Sequence, residues 1–278
     1  MSPADPPDRY AVVGNPVAHS LSPRIHAEFA RQTGQALSYE AIEIAIDAFR
    51  KGIDDLRQQG FRGLNVTVPF KREAFELCDQ LAPRAITAGA VNTLSLGENG
   101  DIHGDNTDGV GLVRDLVHNL QIKITGQNLL ILGAGGAARG VLEPLLALSP
   151  ASLTIANRSI DKAIDLARDF RTAGNIEVVP YTQLKAAGFH LIINATAAGI
   201  SNQIPPISPA LLEQTEVCYD MMYNLKAATA FVAWSQQHGV RRCYDGLGML
   251  IEQAAEAFLL WRGVRPETRD MAALLRQQ

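Results

Sequence analysis

The sequence predicts an α/β fold in two domains, and three observations carry that prediction. Short apolar runs alternate with amphipathic segments along most of the chain, the pattern of parallel strands joined by helices. Gly133-x-Gly135-x-x-Ala138 stands directly between an apolar run and a helical one, the setting of a dinucleotide-binding turn. A length of 278 residues suits one large domain or two of ordinary size.

Each element has a local reason. Residues 10–14, YAVVG, read as the first strand. A helix follows in SPRIHAEFARQTG, with Ser22 as N-cap, Pro23 at the first helical position and Gly34 as its stop. Strands at 37–44 and 63–68 flank a helix that ends near Gly60. In the second of these strands apolar and polar side chains alternate, so Asn65 and Thr67 share one face. Pro69 breaks that run and Lys71 follows two residues later, which lines up an amide, a hydroxyl and an amine at the mouth of a strand. Residues 90–106 read as a hairpin turning at Asn99-Gly100.

A second block begins near Gly109. It reads as a helix from Val110 to Asn119, a strand, glycine loop and helix over 128–148, and strands at 152–159, 176–180, 191–196 and 216–223. The last stretch reads as two helices split at Gly263 to Pro266.

Composition narrows the function classes. The chain is 47% hydrophobic and 19% charged, with a net charge of −4, which gives no electrostatic reason to expect nucleic acid or an anionic membrane as partner. Cys78, Cys218 and Cys243 are widely spaced, as suits a reducing cytosol rather than a disulfide framework. The start, MSPADPPDRY, has neither a basic nor an apolar segment of the secretory kind, and no apolar run is long enough to span a bilayer. The expected location is therefore cytoplasmic. The six histidines lack metal-ligand spacing, so no metal site is expected.

The glycine motif specifies a pyrophosphate site. Gly133 permits the tight turn and Gly135 lets the backbone approach the anion. The helix starting near Ala137 then aims its free N–H groups at it, so Gly133, Ala134, Gly135, Gly136 and Ala137 form the expected cradle. The end of the next strand discriminates between cofactors. A carboxylate there accepts from ribose hydroxyls in NAD sites, whereas this chain has Asn157, Arg158 and Ser159, with Lys162 one turn on. Arg158 offers a planar fork suited to a 2′-phosphate, so NADP is the expected cofactor. Asp161 is explained by the helix N-terminus that follows.

These residues belong to a longer set. GNPVAHSLSP (14–23), NVTVPFK (65–71), AGAVNTL (88–94), GDNTDG (104–109), GAGGAARG (133–140), NRS (157–159), NAT (194–196), YDMMY (219–223) and DGLGMLIEQAA (245–255) run in one order along nearly the whole chain. In that order they resemble the shikimate dehydrogenases of bacterial aromatic biosynthesis. The resemblance implies an N-terminal α/β substrate domain, a Rossmann-type NADP-binding domain, and C-terminal helices that return to the substrate domain. The boundaries expected are 1–109 plus 247–278, and 110–246. It also implies reversible NADPH-linked reduction of 3-dehydroshikimate to shikimate.

The resemblance carries residue roles with it. Ser20, Ser22, Thr67 and Tyr223 correspond to residues that hold the substrate carboxylate; Asn65, Asn92, Asp108 and Gln253 to those that hold ring hydroxyls; Lys71 and Asp108 to the catalytic pair. Thr196, Met221 and Gly246 match positions near the cofactor's ribose and nicotinamide. Taken alone, each Asn or Asp could be a turn or cap residue, and a lysine after a strand a surface charge. Two departures are noted, Ala197 for a commoner serine and Pro83 for a commoner acid. His26, Trp234 and Trp261 are read as packing or surface. The rival readings are a quinate/shikimate dehydrogenase, disfavoured by Asn157 in place of a carboxylate, and a non-catalytic NADP(H)-sensing protein, which predicts a damaged Lys71/Asp108 pair. Family members occur as monomers and homodimers, so a homodimer is one expected state.

Overall fold

In the computed structural model, which describes residues 6–186, 188–196 and 203–277, the chain divides into a first unit of residues 1–107 and 251–271 and a second of 108–250 and 272–278. The first unit contains β1 (Asp8–Gly14), α1 (Ser22–Thr33), β2 (Leu37–Glu43), α2 (Phe49–Gln58), β3 (Phe61–Val66), α3 (Lys71–Leu77), β4 (Gln80–Leu81), α4 (Pro83–Ala88), β5 (Thr93–Leu96) and β6 (Ile102–Asp105). Its sheet runs β2-β1-β3-β5-β6-β4. β1 pairs in parallel with β2 and β3, while β3, β5 and β6 are antiparallel. The expected hairpin is present: Leu96 pairs with Ile102, and Gly100 takes φ +94°, a conformation glycine adopts without steric cost.

The pleat decides what each face of β1 meets. Ala11 and Val13 enter a core with Phe49, Ile53, Leu64 and Val66. Tyr10, on the opposite face, stacks on Trp261 at 4.8 Å. Trp261 donates Nε1–H to the Leu94 carbonyl across 3.1 Å and leaves no room for a side chain at Gly63, where a Cβ would stand 2.5 Å from its indole nitrogen. Ion pairs fasten the same C-terminal segment. Arg84 reaches Asp105 and Glu256, and Arg265 reaches Glu252 and Glu256.

One helix starts differently from the expectation. Ser22 is the first helical residue of α1 and not its N-cap. Leu21 already has right-handed helical dihedrals (φ −82°, ψ −10°), and the Ser20 hydroxyl accepts the Ser22 N–H across 3.2 Å. The stop is as read, with Gly34 at φ +65°.

The second unit contains α5 (Asp108–Arg114), a π-helical turn Asp115–Asn119, β7 (Asn128–Leu132), α6 (Gly136–Ala147), β8 (Ser152–Asn157), α7 (Ile160–Asp169), β9 (Ile176–Pro180), β10 (Leu191–Asn194), β11 (Val217–Asp220), α8 (Ala230–Gln237) and β12 (Arg242–Tyr244). α9 (Leu247–Arg262) crosses the division between the units, and α10 (Met271–Arg276) follows it. Arg276 pairs with Asp245 across 2.8 Å, a contact internal to the second unit. All strands of the second sheet are parallel, in the order β12-β11-β10-β7-β8-β9. Leu129 and Ile131 of β7 enter one core and Leu130 and Leu132 the other, so the strand is buried on both faces and reads as an unbroken apolar run. The chain moves outward from β7 through β8 to β9, then returns to place β10 on the other side of β7. That reversal makes a topological switch point between β7 and β10, where sheets of this kind bind ligands beyond their strand ends.

The strand expected at 216–223 stops at Asp220. Asp220 accepts the Met222 N–H across 3.1 Å, a local side-chain bond that competes with the sheet ladder.

Candidate functional site

In the first unit the chemistry gathers where β3, β5 and α9 come together. The Asn65 amide donates to the Asn92 main-chain carbonyl and to the Thr93 hydroxyl, each across 3.2 Å. Its carbonyl accepts from Tyr39 at 2.7 Å. The Asn92 amide donates to Thr107 (3.1 Å) and Gln253 (3.4 Å), and its carbonyl accepts the Thr107 N–H at 2.8 Å. Asn65, Asn92, Thr93, Thr107 and Gln253 are all buried. A buried amide costs free energy unless it is hydrogen-bonded, and these residues satisfy one another. Three predicted residues, Asn65, Asn92 and Gln253, thus share one network. Thr93, Thr107 and Tyr39 belong to it although sequence reasoning passed over them, because a lone threonine or tyrosine in a strand carries no local signal.

Beside it, the Ser20 hydroxyl donates to that of Ser22 across 3.2 Å. Thr67 follows the end of β3 and packs against Gly14, where any Cβ would strike its methyl group. Lys71 is half-buried at the first position of α3, and its carbonyl accepts the Val91 N–H at 2.9 Å.

Asp108 and Tyr223 belong to the second unit. Asp108 is buried at the first position of α5. Tyr223 follows β11, and burial pushes its phenol above the ordinary value.

The glycine loop has the geometry of an anion cradle. Gly133 takes φ +107°, and a Cβ there would stand 3.1 Å from the Ala195 carbonyl and 3.2 Å from the Thr196 methyl. Gly133, just after β7, therefore lies directly against Ala195 and Thr196, just after β10. Among the described residues, and apart from the local backbone, no atom lies within 4 Å of where a Cβ would sit on Gly135 or Gly136, and α6 starts at Gly136 without a side-chain cap. These observations fit a pyrophosphate held by main-chain N–H groups. Ala134 is half-buried and Ala137 exposed.

At the end of β8, Asn157 donates to the Ser159 carbonyl across 2.9 Å, which holds the turn, while Arg158, Ser159 and Lys162 are exposed. Burial pushes the neighbouring Tyr181 phenol up to about 12, with the Arg158 charge opposing it, so this guanidinium stands near the rim of the same strand ends. Met221 and Gly246 meet closely: Gly246 donates its N–H to the Met222 carbonyl across 2.9 Å, and a Cβ on Gly246 would collide with the Met221 carbonyl. Ala197 lies outside the described residues. Among the described residues, no group of three or more His, Cys, Asp or Glu is arranged to hold a metal ion.

The family models and the curated relatives agree with each other. Residues 12–94 match the shikimate dehydrogenase substrate binding domain, residues 115–203 the shikimate / quinate 5-dehydrogenase family, and residues 246–276 the shikimate 5′-dehydrogenase C-terminal domain. The shikimate dehydrogenase (NADP(+)) of Aromatoleum aromaticum is 56% identical over 98% of this chain and 98% of its own. The solved structure of an Ael1 enzyme from Pseudomonas putida is similar at a TM-score of 0.91 and 42% identity, covering 96% of this chain and 98% of its own. The shikimate 5-dehydrogenase of Thermus thermophilus, solved in complex with NADP(H) and shikimate, follows at a TM-score of 0.86 and 34% identity, over 97% and 99% of the two chains.

Proposed function

The chain belongs to the shikimate dehydrogenase family, and from that premise we propose how its residues carry the family's reaction. The protein is an NADP-dependent oxidoreductase that interconverts 3-dehydroshikimate and shikimate. The observation that carries this reading is the glycine loop at the switch point, open at Gly135 and Gly136 above an uncapped helix. Bound NADPH supplies a hydride to the substrate's carbonyl carbon.

The rest is done by side chains. Gly133 to Ala137 hold the pyrophosphate through main-chain N–H groups, and Arg158, with Asn157, Ser159 and Lys162, holds the 2′-phosphate. Thr196, Met221 and Gly246 line the ribose and nicotinamide end. In the first unit, the substrate domain, Ser20, Ser22 and Thr67 hold the carboxylate together with Tyr223. Asn65, Asn92, Asp108 and Gln253 hold the ring hydroxyls, a substrate whose several hydroxyls match amides better than apolar walls. Lys71 polarises the carbonyl and gives its ammonium proton to the oxygen as the alkoxide forms. Asp108 completes the catalytic pair and accepts from a neighbouring hydroxyl.

Among the described residues no helix is long and apolar enough to cross a membrane. We place the enzyme in the cytoplasm on its three free cysteines, with a monomer and a homodimer as its two candidate states. Following absorbance at the NADPH band tests the function. Turnover is expected with shikimate and NADP, and far less with quinate or with NAD. No turnover with shikimate and NADP would refute the reading.

A further inference from the structure

We infer that Asp220 is a positioning residue that sets the hydrogen-bonding polarity of Thr196 and the placement of Thr196 after β10 and Met221–Met222 after β11, and thereby the affinity for NADP(H). This rests on the reading that Thr196, Met221 and Gly246 face the cofactor.

Asp220 ends β11 with no exposed surface, and its carboxylate gathers donors from three separate elements. Asn194 at the end of β10 donates to Oδ1 across 3.0 Å. The Met222 N–H donates to the same oxygen at 3.1 Å. Thr229, the N-cap of α8, donates to Oδ2 at 2.6 Å. An ionised carboxylate only accepts, so the three donors fit it without conflict. Burial raises the carboxyl's pKa while these donors oppose the rise.

The consequence passes through Asn194. With its amide nitrogen committed to Asp220, Asn194 turns its carbonyl toward the next loop, where it accepts the Thr196 N–H at 3.2 Å and the Thr196 hydroxyl at 2.7 Å. The hydroxyl proton of Thr196 is therefore spent inward, and any further bond through that oxygen is made as an acceptor. Its partner in a ligand must be a donor, such as a ribose hydroxyl or a carboxamide N–H. The backbone joins in, since Met221 donates its N–H to the Asn194 main-chain carbonyl across 3.0 Å. Thr196 packs against Gly133, and Gly246 bonds to Met222. One buried carboxylate thus ties the glycine loop, the Thr196 loop and the Met221–Gly246 contact into a single arrangement.

Asp220→Ala removes both carboxylate oxygens, so the Asn194 amide loses its acceptor and nothing fixes which of its ends faces Thr196. Asp220→Asn is a weaker probe, because its carbonyl can keep the Asn194 and Met222 donors while the Thr229 hydroxyl accepts its N–H₂. The test is a double-mutant cycle on the full chain, reading NADP Kd from quenching of intrinsic fluorescence well below each variant's Tm. Thr196→Val should weaken NADP about 5- to 10-fold, and Asp220→Ala by at least as much. The double variant should be no worse than Asp220→Ala alone, because both act through one bond, while shikimate KM should move less than about 2-fold. Wild-type NADP binding by Asp220→Ala beside weakened Thr196→Val, or additive losses, would overturn the inference and leave the cofactor reading standing. If both single variants bind NADP like wild type, the cofactor-side reading itself falls. Should Asp220→Ala not fold, Asn194→Ala cuts the same relay and leaves Asp220 with its other two donors. It should then match Thr196→Val, again without additivity, and wild-type affinity would overturn the inference.

Discussion

Tyr219 donates its phenol hydroxyl to Asp115 across 2.7 Å, and both side chains are buried. Asp115 opens the π-helical turn after α5, and its carboxylate fills the space a side chain on Gly248 would need at the start of α9. π-turns of this kind frequently mark functional places in helices. Here the turn brings a carboxylate against the first residues of the helix that carries Gln253.

Removing that donor should be costly. Tyr219→Phe leaves a buried carboxylate short of one bond, with an expected loss of about 1–3 kcal/mol, read from denaturant unfolding. A stability within a few tenths of wild type would show that Asp115 replaces the bond at once.

For Lys71, the expected loss is in the chemical step. Lys71→Ala should lower kcat by roughly 10²- to 10⁴-fold, with a smaller change in shikimate KM, since the amides proposed to hold the ring and the serines proposed to hold the carboxylate are kept. NADP binding, followed by fluorescence, should survive. A Lys71→Ala enzyme with wild-type kcat would mean that another group delivers the proton.

Cofactor choice should depend on Arg158. Arg158→Ala should raise KM for NADP by about 10- to 100-fold, the scale of one charge-assisted contact, and leave KM for NAD nearly unchanged. Equal losses for both cofactors would make the arginine structural.

The two serines should separate under mutation. Ser22 is not the cap of α1, so Ser22→Ala should weaken shikimate binding with little change in Tm. Ser20→Ala should do the same and also lose the bond to the Ser22 N–H, about 0.5–1.5 kcal/mol. Equal affinity for shikimate and its methyl ester would rule out the carboxylate assignment.

Acid should act on the first unit through His26. It is fully buried and stacked on Tyr39 at 4.1 Å, and among the described residues neither ring nitrogen meets a partner in full hydrogen-bond geometry. Burial lowers its pKa to about 3, and the nearby Asn65 amide offsets this only in part. The folded state then binds fewer protons than the unfolded one. The stabilisation from neutral His26 is full above pH ~6.5 and falls as pH drops toward ~3, by up to about 1.4 kcal/mol per unit. His26→Phe should show a smaller loss of stability between pH 7 and pH 5 than wild type. An unchanged loss would place the acid sensitivity elsewhere.

What the sequence determined by itself was whatever depends on neighbours along the chain. The apolar run at 128–132 with its glycine loop, the Asn99-Gly100 turn and the Gly34 stop are local patterns, and the period of burial or the demand for a positive φ makes them visible. The family motifs added candidate residues, Asn65, Asn92 and Gln253 among them, without saying which would touch. Tertiary structure decided the rest. Asn65 meets Tyr39 from 26 positions away, Asp220 meets Asn194 from 26, and Tyr219 meets Asp115 from 104. Even the end of the strand at Asp220 and the start of α1 at Ser22 were set by side-chain bonds that propensity does not contain. A buried polar group must find its partner wherever the fold puts one, and the identity of that partner follows from sheet order, which local sequence does not encode.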